Sequence, residues 1–248
     1  MTTPMGSPAG LHPALSVRQG TALLQEAESV RNLMRDSVQA IRDMRFVSAH
    51  GDAVFTLGSI GTEKAMKVLL GCAAVEDTGR WPTKQELKAW GHDVEQLGAR
   101  LLVAIDDGLG RTTATGYSAQ LAERIGQSTV LPLLFAAFAR YGRSGRFHHL
   151  DILATDEPGK LDKPSDYWDR IEQDIRETRP EFQGVRYGDN SAFEDYQKRI
   201  RGFIADELDT WWFRVHRLGV QRCFGELGKT ISGEIWEQGR QRPNTMEA

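Results

Sequence analysis

The sequence lacks the features that mark metal centres, disulfide frameworks and membrane spans. Its two cysteines, Cys72 and Cys223, lie far apart in helical apolar patterns, so we expect buried thiols in a reducing cytoplasm and no disulfide. There is no CxxC or HExxH motif and no other metal-ligand spacing, so we expect neither a metal nor another cofactor. The longest apolar run, 130–139, contains Pro132 and is too short to cross a membrane.

The chain also lacks an excess of positive charge. Its formal net charge is −3, so no overall field attracts nucleic acid, and binding of RNA would need a local basic patch. With 248 residues the chain is long enough for one large helical domain or two small ones. Residues 1–13 are rich in glycine and proline, and we expect them to be loosely ordered.

Two-residue alternation and internal repeats are missing as well, whereas apolar residues recur at intervals of three and four through most of the chain. This pattern predicts an all-α fold. We expect an antiparallel helical bundle over residues 14–155 and a long C-terminal helical extension over 160–240 that packs on it. The predicted helices cover 16–46, 53–75, 83–90, 93–105, 117–125, 130–139, 166–178 and 191–218, with a break among the glycines at 219, 225 and 228.

The stretch 49–71 is expected to be the centre of the bundle. Its small residues, Gly58, Ser59, Gly61 and Ala65, would let neighbouring helices approach closely. We expect the helices 16–46, 93–106 and 130–140 to pack around it. The sequence His50-Gly51-Asp52 is expected to separate this helix from the one before it, with Asp52 as the N-terminal cap.

Glu63 and Lys64 interrupt this otherwise apolar helix. One interpretation places both on a solvated stripe beside Lys67. The other places Glu63 in a polar seam between helices, where a carboxylate would need a partner.

The segment 140–149 carries the densest group of basic and titratable side chains: Arg140, Arg143, Arg146, His148 and His149. Arginine binds phosphate through a planar fork, and histidine exchanges a proton near neutral pH. Together they could cleave a phosphodiester, with histidine activating a 2′-hydroxyl and arginine stabilising the charged intermediate. The alternative is a structural role, in which the arginines pair with nearby acidic residues such as Asp151, Asp156 or Glu157.

Three stretches together resemble the HEPN superfamily: Gly61–Lys67 in the central helix, Gly91–Leu97 after it, and the spacing from Arg143 to His148. The resemblance covers about residues 14–155. It implies a compact bundle of four or five helices, and many members are metal-independent endoribonucleases of toxin–antitoxin, abortive-infection or RNA-processing systems. Members commonly dimerise, so that the motifs of two chains meet in one cleft.

By this resemblance Arg143 matches the motif arginine, and either His148 or His149 matches the motif histidine. Ser144 stands where the family often has Asn, Asp or His. We therefore expect Arg143 and a histidine to be catalytic and to line an open groove. Gly142 and Gly145 are expected to loosen the backbone there. The residues expected to bind substrate around the groove are Arg140, Arg146, Glu63 and His92.

Two further stretches have alternative interpretations. His92-Asp93 could hold a catalytic pair, but the N-terminal cap of a helix explains it more simply. The stretch 211–217 mixes aromatic and basic residues, as platforms for single-stranded nucleic acid do. Its helical spacing instead favours Trp211 and Val215 in the core, with Arg214 and Arg217 on the surface.

These observations leave three candidate functions. The first is a HEPN-like metal-independent endoribonuclease of a bacterial defence or toxin–antitoxin type system. The second is a non-enzymatic helical module that dimerises or binds a protein partner. The third is a regulatory protein that binds a phosphate-containing ligand. A homodimer is expected from the resemblance and from the long aromatic helix 191–218, whose apolar surface looks too large for one chain to cover.

Overall fold

The computed structural model describes residues 10–143, 145–157, 162–183, 190–237 and 240. Within these ranges the secondary structure is helical and contains no strand, which confirms the all-α fold. The helices are α1 (Val17–Asp43), α2 (Val47–Thr78), α3 (Lys84–Ala89), α4 (Val94–Gly108), α5 (Thr115–Gly126), α6 (Val130–Arg143), α7 (His148–Thr155), α8 (Pro164–Thr178), α9 (Asn190–Val220) and α10 (Gly225–Ser232).

Helix α2 lies at the centre, as predicted, and packs against α1, α4 and α6 as well as α8 and α10. Two of its glycines face different neighbours. A Cβ at Gly58 would overlap the ring of Phe138 on α6, and a Cβ at Gly61 would lie 3.2 Å from Cβ of Leu33 on α1. The small residues therefore permit the close approach of helices that the sequence predicted.

The predicted break at His50-Gly51-Asp52 is wrong. Helix α2 begins at Val47 and runs through all three residues. Gly51 is buried, and its missing side chain makes room for the ring of Phe55. A glycine costs a helix about 1 kcal/mol relative to alanine, and burial of Phe55 and its neighbour Val54 outweighs that cost here.

Side-chain caps define the starts of three helices, at the positions where the sequence predicts those starts. Ser16 and Thr83 each accept a hydrogen bond from a backbone N–H in the first turn of α1 and α3. Asp93 does the same for α4. These caps satisfy N–H groups that have no partner within their own helix.

The C-terminal helices share one hydrophobic core with the rest of the chain. Helix α9 packs along α1, α5, α6 and α10, and Trp211 and Val215 are buried as predicted. Because the chain itself covers these side chains, the apolar surface of α9 no longer argues for a dimer.

Arg214 corrects a prediction, since it is buried rather than on the surface. Its guanidinium Nη1 donates a hydrogen bond to the carbonyl oxygen of Arg124, in the last turn of α5, at 3.0 Å. Carbonyl groups at a helix C-terminus lack helical partners, so arginine can be buried there with its charge partly compensated.

Cys72 and Cys223 are both buried and unpaired, as the sequence predicted. Burial raises the pKa of the Cys72 thiol well above its usual range and that of Cys223 to about 12. Among the described helices, none combines the length and the apolar character that crossing a membrane requires.

Candidate functional site

An open groove of about 700 Å³ lies between the middle of α2, the C-terminal end of α6 and the turn that precedes α4. Its lining combines both charge signs with hydroxyl and apolar groups. The lining residues are Thr56, Ser59, Ile60, Glu63, His92, Asp93, Tyr141, Gly142, Arg143 and Arg146.

One wall of the groove is formed by side chains of α2. Thr56, Ile60 and Glu63 stand at intervals of four and three, so they share one face of the helix. This places Glu63 in a polar seam between α2 and the turn before α4, the second of the two interpretations above. Lys64 points instead toward α1, where its Nζ donates hydrogen bonds to Glu26 and Ser29.

Glu63 connects the groove to two basic side chains. Its Oε1 lies 2.8 Å from Nδ1 of His92 and accepts a hydrogen bond from Nζ of Lys67 at 2.9 Å. The Glu63 side chain is 20% exposed, whereas that of His92 is 82% exposed. A carboxylate on Nδ1 fixes the ring's orientation and leaves Nε2 as the nitrogen open to a ligand.

Asp93 performs two tasks with its two oxygens. Oδ1 accepts hydrogen bonds from the backbone N–H groups of Glu95 and Gln96, which caps α4. Oδ2 pairs with the guanidinium of Arg143. The Arg143 side chain remains 58% exposed, while that of Asp93 is 13% exposed. Arg143 therefore presents charge to the groove although its guanidinium is already paired with Asp93.

Two further contacts shape the groove. Thr56 Oγ1 donates a hydrogen bond of 2.9 Å to the hydroxyl of Tyr141, which ties α2 to α6. The guanidinium carbon of Arg146 lies 4.9 Å from the ring centre of Phe147, a cation–π contact. Arg146 lines the groove, so it adds a second positive charge to the same wall as Arg143.

The remaining predicted site residues lie elsewhere. His148 is buried outside the groove lining, and its Nε2 has no hydrogen-bond partner. Its ring meets that of exposed His149 edge-on, with centroids 5.2 Å apart. Burial and the positive charges nearby lower the pKa of His148. Arg140 donates from Nε to the carbonyl oxygen of Asp162 at 2.8 Å.

The two glycines beside Arg143 lie in helical turns rather than in the loose backbone expected of them. Gly142 is in the last turn of α6. Gly145 is buried in a short 3₁₀ turn, Gly145–Phe147, where a Cβ would press on Pro164. Ser144 lies outside the described residues.

The groove thus gathers four of the seven predicted residues: Arg143, Arg146, Glu63 and His92. Sequence reasoning gave Asp93 mainly a capping role and missed Thr56, Ile60 and Tyr141. Thr56 and Ile60 stand at helical spacing from Glu63, so the sequence could have predicted that all three share one face of α2. Over the described part of the chain, no three His, Cys, Asp or Glu side chains cluster as metal ligands would.

No family model, curated protein or solved structure matches this chain significantly. Its chemistry must therefore be argued from the groove itself.

Proposed function

We propose that the chain binds RNA in this groove and cleaves it without a metal ion. The observation that carries the proposal is the pairing of two features around one open cavity. Arg143 offers a largely exposed guanidinium, and His92 offers an exposed imidazole held in place by Glu63. These are the phosphate-binding group and the proton-transfer group that metal-independent cleavage of RNA needs.

The proposed reaction is an attack by a ribose 2′-hydroxyl on the adjacent phosphorus. Neutral His92 takes the hydroxyl proton at Nε2, and Glu63 stabilises the imidazolium that forms. The guanidinium of Arg143 stabilises the extra charge on the phosphoryl oxygens, with Arg146 available to the neighbouring phosphate. The bond from phosphorus to the 5′-oxygen breaks, the 5′-oxygen takes a proton from water, and a 2′,3′-cyclic phosphate remains. His92 then returns its proton to the solvent.

In this proposal His92 takes the role that the resemblance assigned to His148 or His149. A general base must reach the proton that it removes. His148 is buried beside Arg140 and Lys163, whereas His92 shares the groove with Arg143.

The test is cleavage of labelled single-stranded RNA by the purified chain in EDTA. Arg143→Ala and His92→Ala should each lower the rate about 100-fold or more, which is the usual contribution of a phosphate-stabilising donor or a general base. Both changes should leave the fold intact, because exposed side chains contribute little to stability. His148→Gln should retain cleavage as long as it folds.

Arg18→Ala is the matched control, since Arg18 is an exposed arginine on α1, away from the groove. It should cleave at the wild-type rate. Retention of cleavage in Arg143→Ala, or loss in His148→Gln without loss in His92→Ala, would contradict the assignment.

The pairing of Arg143 with Asp93 favours a second candidate, a groove that binds a phosphate-containing ligand without cutting it. Two carboxylates in the lining, Glu63 and Asp93, weaken the attraction for a long polyanion but still allow one phosphate to be held between Arg143 and Arg146. Binding of a nucleotide that requires Arg143, together with intact RNA after long incubation, would favour this candidate.

Dimerisation, a protein partner and a role in bacterial defence or toxin–antitoxin systems rest on the resemblance alone. Light scattering of the purified chain at micromolar concentration tests the first of these.

A further inference from the structure

A second cavity, separate from the groove, lies among α4, α6, α9 and the end of α5. Its volume is about 210 Å³. Twelve residues line it, and most are apolar or lack a side chain. Those that carry the argument are Glu95, Gly98, Leu101, Leu102, Phe135 and Trp211.

The cavity extends from the surface to the core. Leu101 and Trp211 at its inner end are almost completely buried, whereas Leu102 at the rim is exposed. The rings of Phe135 and Trp211 meet edge-on, with centroids 5.3 Å apart at 75°. A ligand that enters would therefore exchange water for an apolar wall with two fixed aromatic rings, which favours an apolar group of matching size.

The size of the cavity limits that group. An apolar protein cavity of about 150 Å³, lined by similar side chains, takes up benzene. A cavity of 210 Å³ has room for a phenyl-sized group with a short substituent, and it is smaller than the sites that usually hold drug-sized molecules.

The charge at the mouth of the cavity determines which polar substituent the bound ring can carry. Glu95 is the single charged residue among the twelve that line the cavity, and it is exposed in the first turn of α4. A negative charge at the mouth of a low-dielectric cavity attracts a cation and repels an anion. An ammonium group could remain hydrated beside Glu95 while the attached ring occupies the apolar interior.

We propose that this cavity is a binding site for a small primary amine that carries one phenyl-sized apolar group. The apolar interior selects the ring, and Glu95 selects the positive charge. The lining of this site shares no residue with that of the groove.

Isothermal titration calorimetry of the full chain with three matched probes tests the proposal: phenethylamine, the neutral phenethyl alcohol and the anionic phenylpropanoate. Phenethylamine should bind tightest. The alcohol should bind about two- to fivefold more weakly, which is the usual effect of one exposed charge pair, and the anion should bind weakest. Equal affinity for all three probes, or no binding of any of them, would overturn the proposal.

Two pairs of variants locate the site. Glu95→Gln should remove the difference between amine and alcohol, whereas Asp106→Asn, an exposed acid on the same helix outside the cavity, should preserve it. Gly98→Ala should weaken all three probes several-fold, because its methyl group would enter the cavity. That methyl would lie 3.4 Å from Cδ2 of Phe135, an ordinary contact, so the variant should fold. Gly202 on α9 has open space around it, so Gly202→Ala is the control for Gly98→Ala.

Unchanged binding in Gly98→Ala would place the probes elsewhere and reject the site. A second copy of the chain could cover this face instead. In that case light scattering would show a dimer and phenethylamine would not dissociate it, and this outcome would also reject the proposal.

Discussion

The two faces of α2 differ in packing and in polarity. One face carries Gly58 and Gly61, which let α6 and α1 approach to contact distance. The other carries Thr56, Ile60 and Glu63 along the open groove. On the first face an added methyl group would overlap a neighbour at Gly58 and crowd one at Gly61, whereas the second face borders solvent. A single helix thus combines the packing on which stability depends with the groups proposed for chemistry, and substitutions should separate the two.

Among the substitutions on these two faces, the largest effect is expected at Gly58. Gly58→Ala would drive a methyl group into the ring of Phe138, which is fully buried. We expect a loss of about 3 kcal/mol in the free energy of unfolding, the upper range for overpacked cores. Urea denaturation measures it. Adding Phe138→Leu should recover part of the loss, and a Gly58→Ala variant as stable as wild type would show that the two helices are not rigidly packed.

A smaller, pH-dependent effect is expected from a histidine far from both faces of α2. His216 is buried on α9, with Nδ1 2.6 Å from the carbonyl oxygen of Ser232. Burial lowers its pKa below the usual 6.5. Below about pH 6.5 the unfolded chain takes up a proton that the folded chain does not, so the free energy of unfolding should fall as the pH drops from 7 toward the lowered pKa of the folded state.

The slope from one such group is at most about 1.4 kcal/mol per pH unit. His216→Asn does not titrate and should flatten the curve of stability against pH between 7 and 5. An unchanged curve would assign the dependence to other groups, of which buried His148 is the first candidate because burial lowers its pKa too.

Gly61 tests the other helix contact. A methyl group there would lie 3.2 Å from Leu33 Cβ and 3.3 Å from Met34 Sδ, close but short of overlap. Gly61→Ala should therefore cost about 1 kcal/mol, less than the change at Gly58, because Leu33 and Met34 need to shift only slightly to relieve the contact. Thermal unfolding of the two variants side by side tests the order. If Gly61→Ala costs more, the contact with α1 is the tighter of the two.

The smallest effect is expected on the groove face. Ile60 is exposed at the groove, whereas Leu69 on the same helix is fully buried. Ile60→Ala should change the free energy of unfolding by less than about 0.5 kcal/mol, and Leu69→Ala should cost about 2–5 kcal/mol. Similar costs for both would mean that another surface covers the groove in solution.

The sequence predicted most helices because their signals are local. Ser16, Thr83 and Asp93 cap helices at the positions where the sequence predicts helix starts. It failed at Gly51, where a residue one turn later in the same helix decides, and at Arg214, where the deciding contact comes from another helix. A buried phenylalanine keeps the first inside α2, and a carbonyl on α5 lets the second be buried.

The candidate site was predictable only in part, for a related reason. Spacing showed that Arg143 and His148 are near in the chain, but Arg143 ends α6 and His148 begins α7 beyond a 3₁₀ turn. That turn sets the direction of each side chain, and only Arg143 reaches the groove. His92 joins it from a turn 51 positions earlier, a distance over which no periodic pattern extends.

The divided use of Asp93 has a consequence for ligand selectivity. An anion that takes Nη2 of Arg143 must compete with Oδ2 of Asp93 for that nitrogen, while Oδ1 keeps its hold on α4 throughout. The exchange therefore leaves the helix start undisturbed, but it sets a threshold. Chloride or a simple carboxylate offers no more than Asp93 already does, so such ions should occupy the site poorly. A phosphate offers more charge and more acceptor oxygens than chloride or a single carboxylate, so it should compete better with Asp93 for the guanidinium.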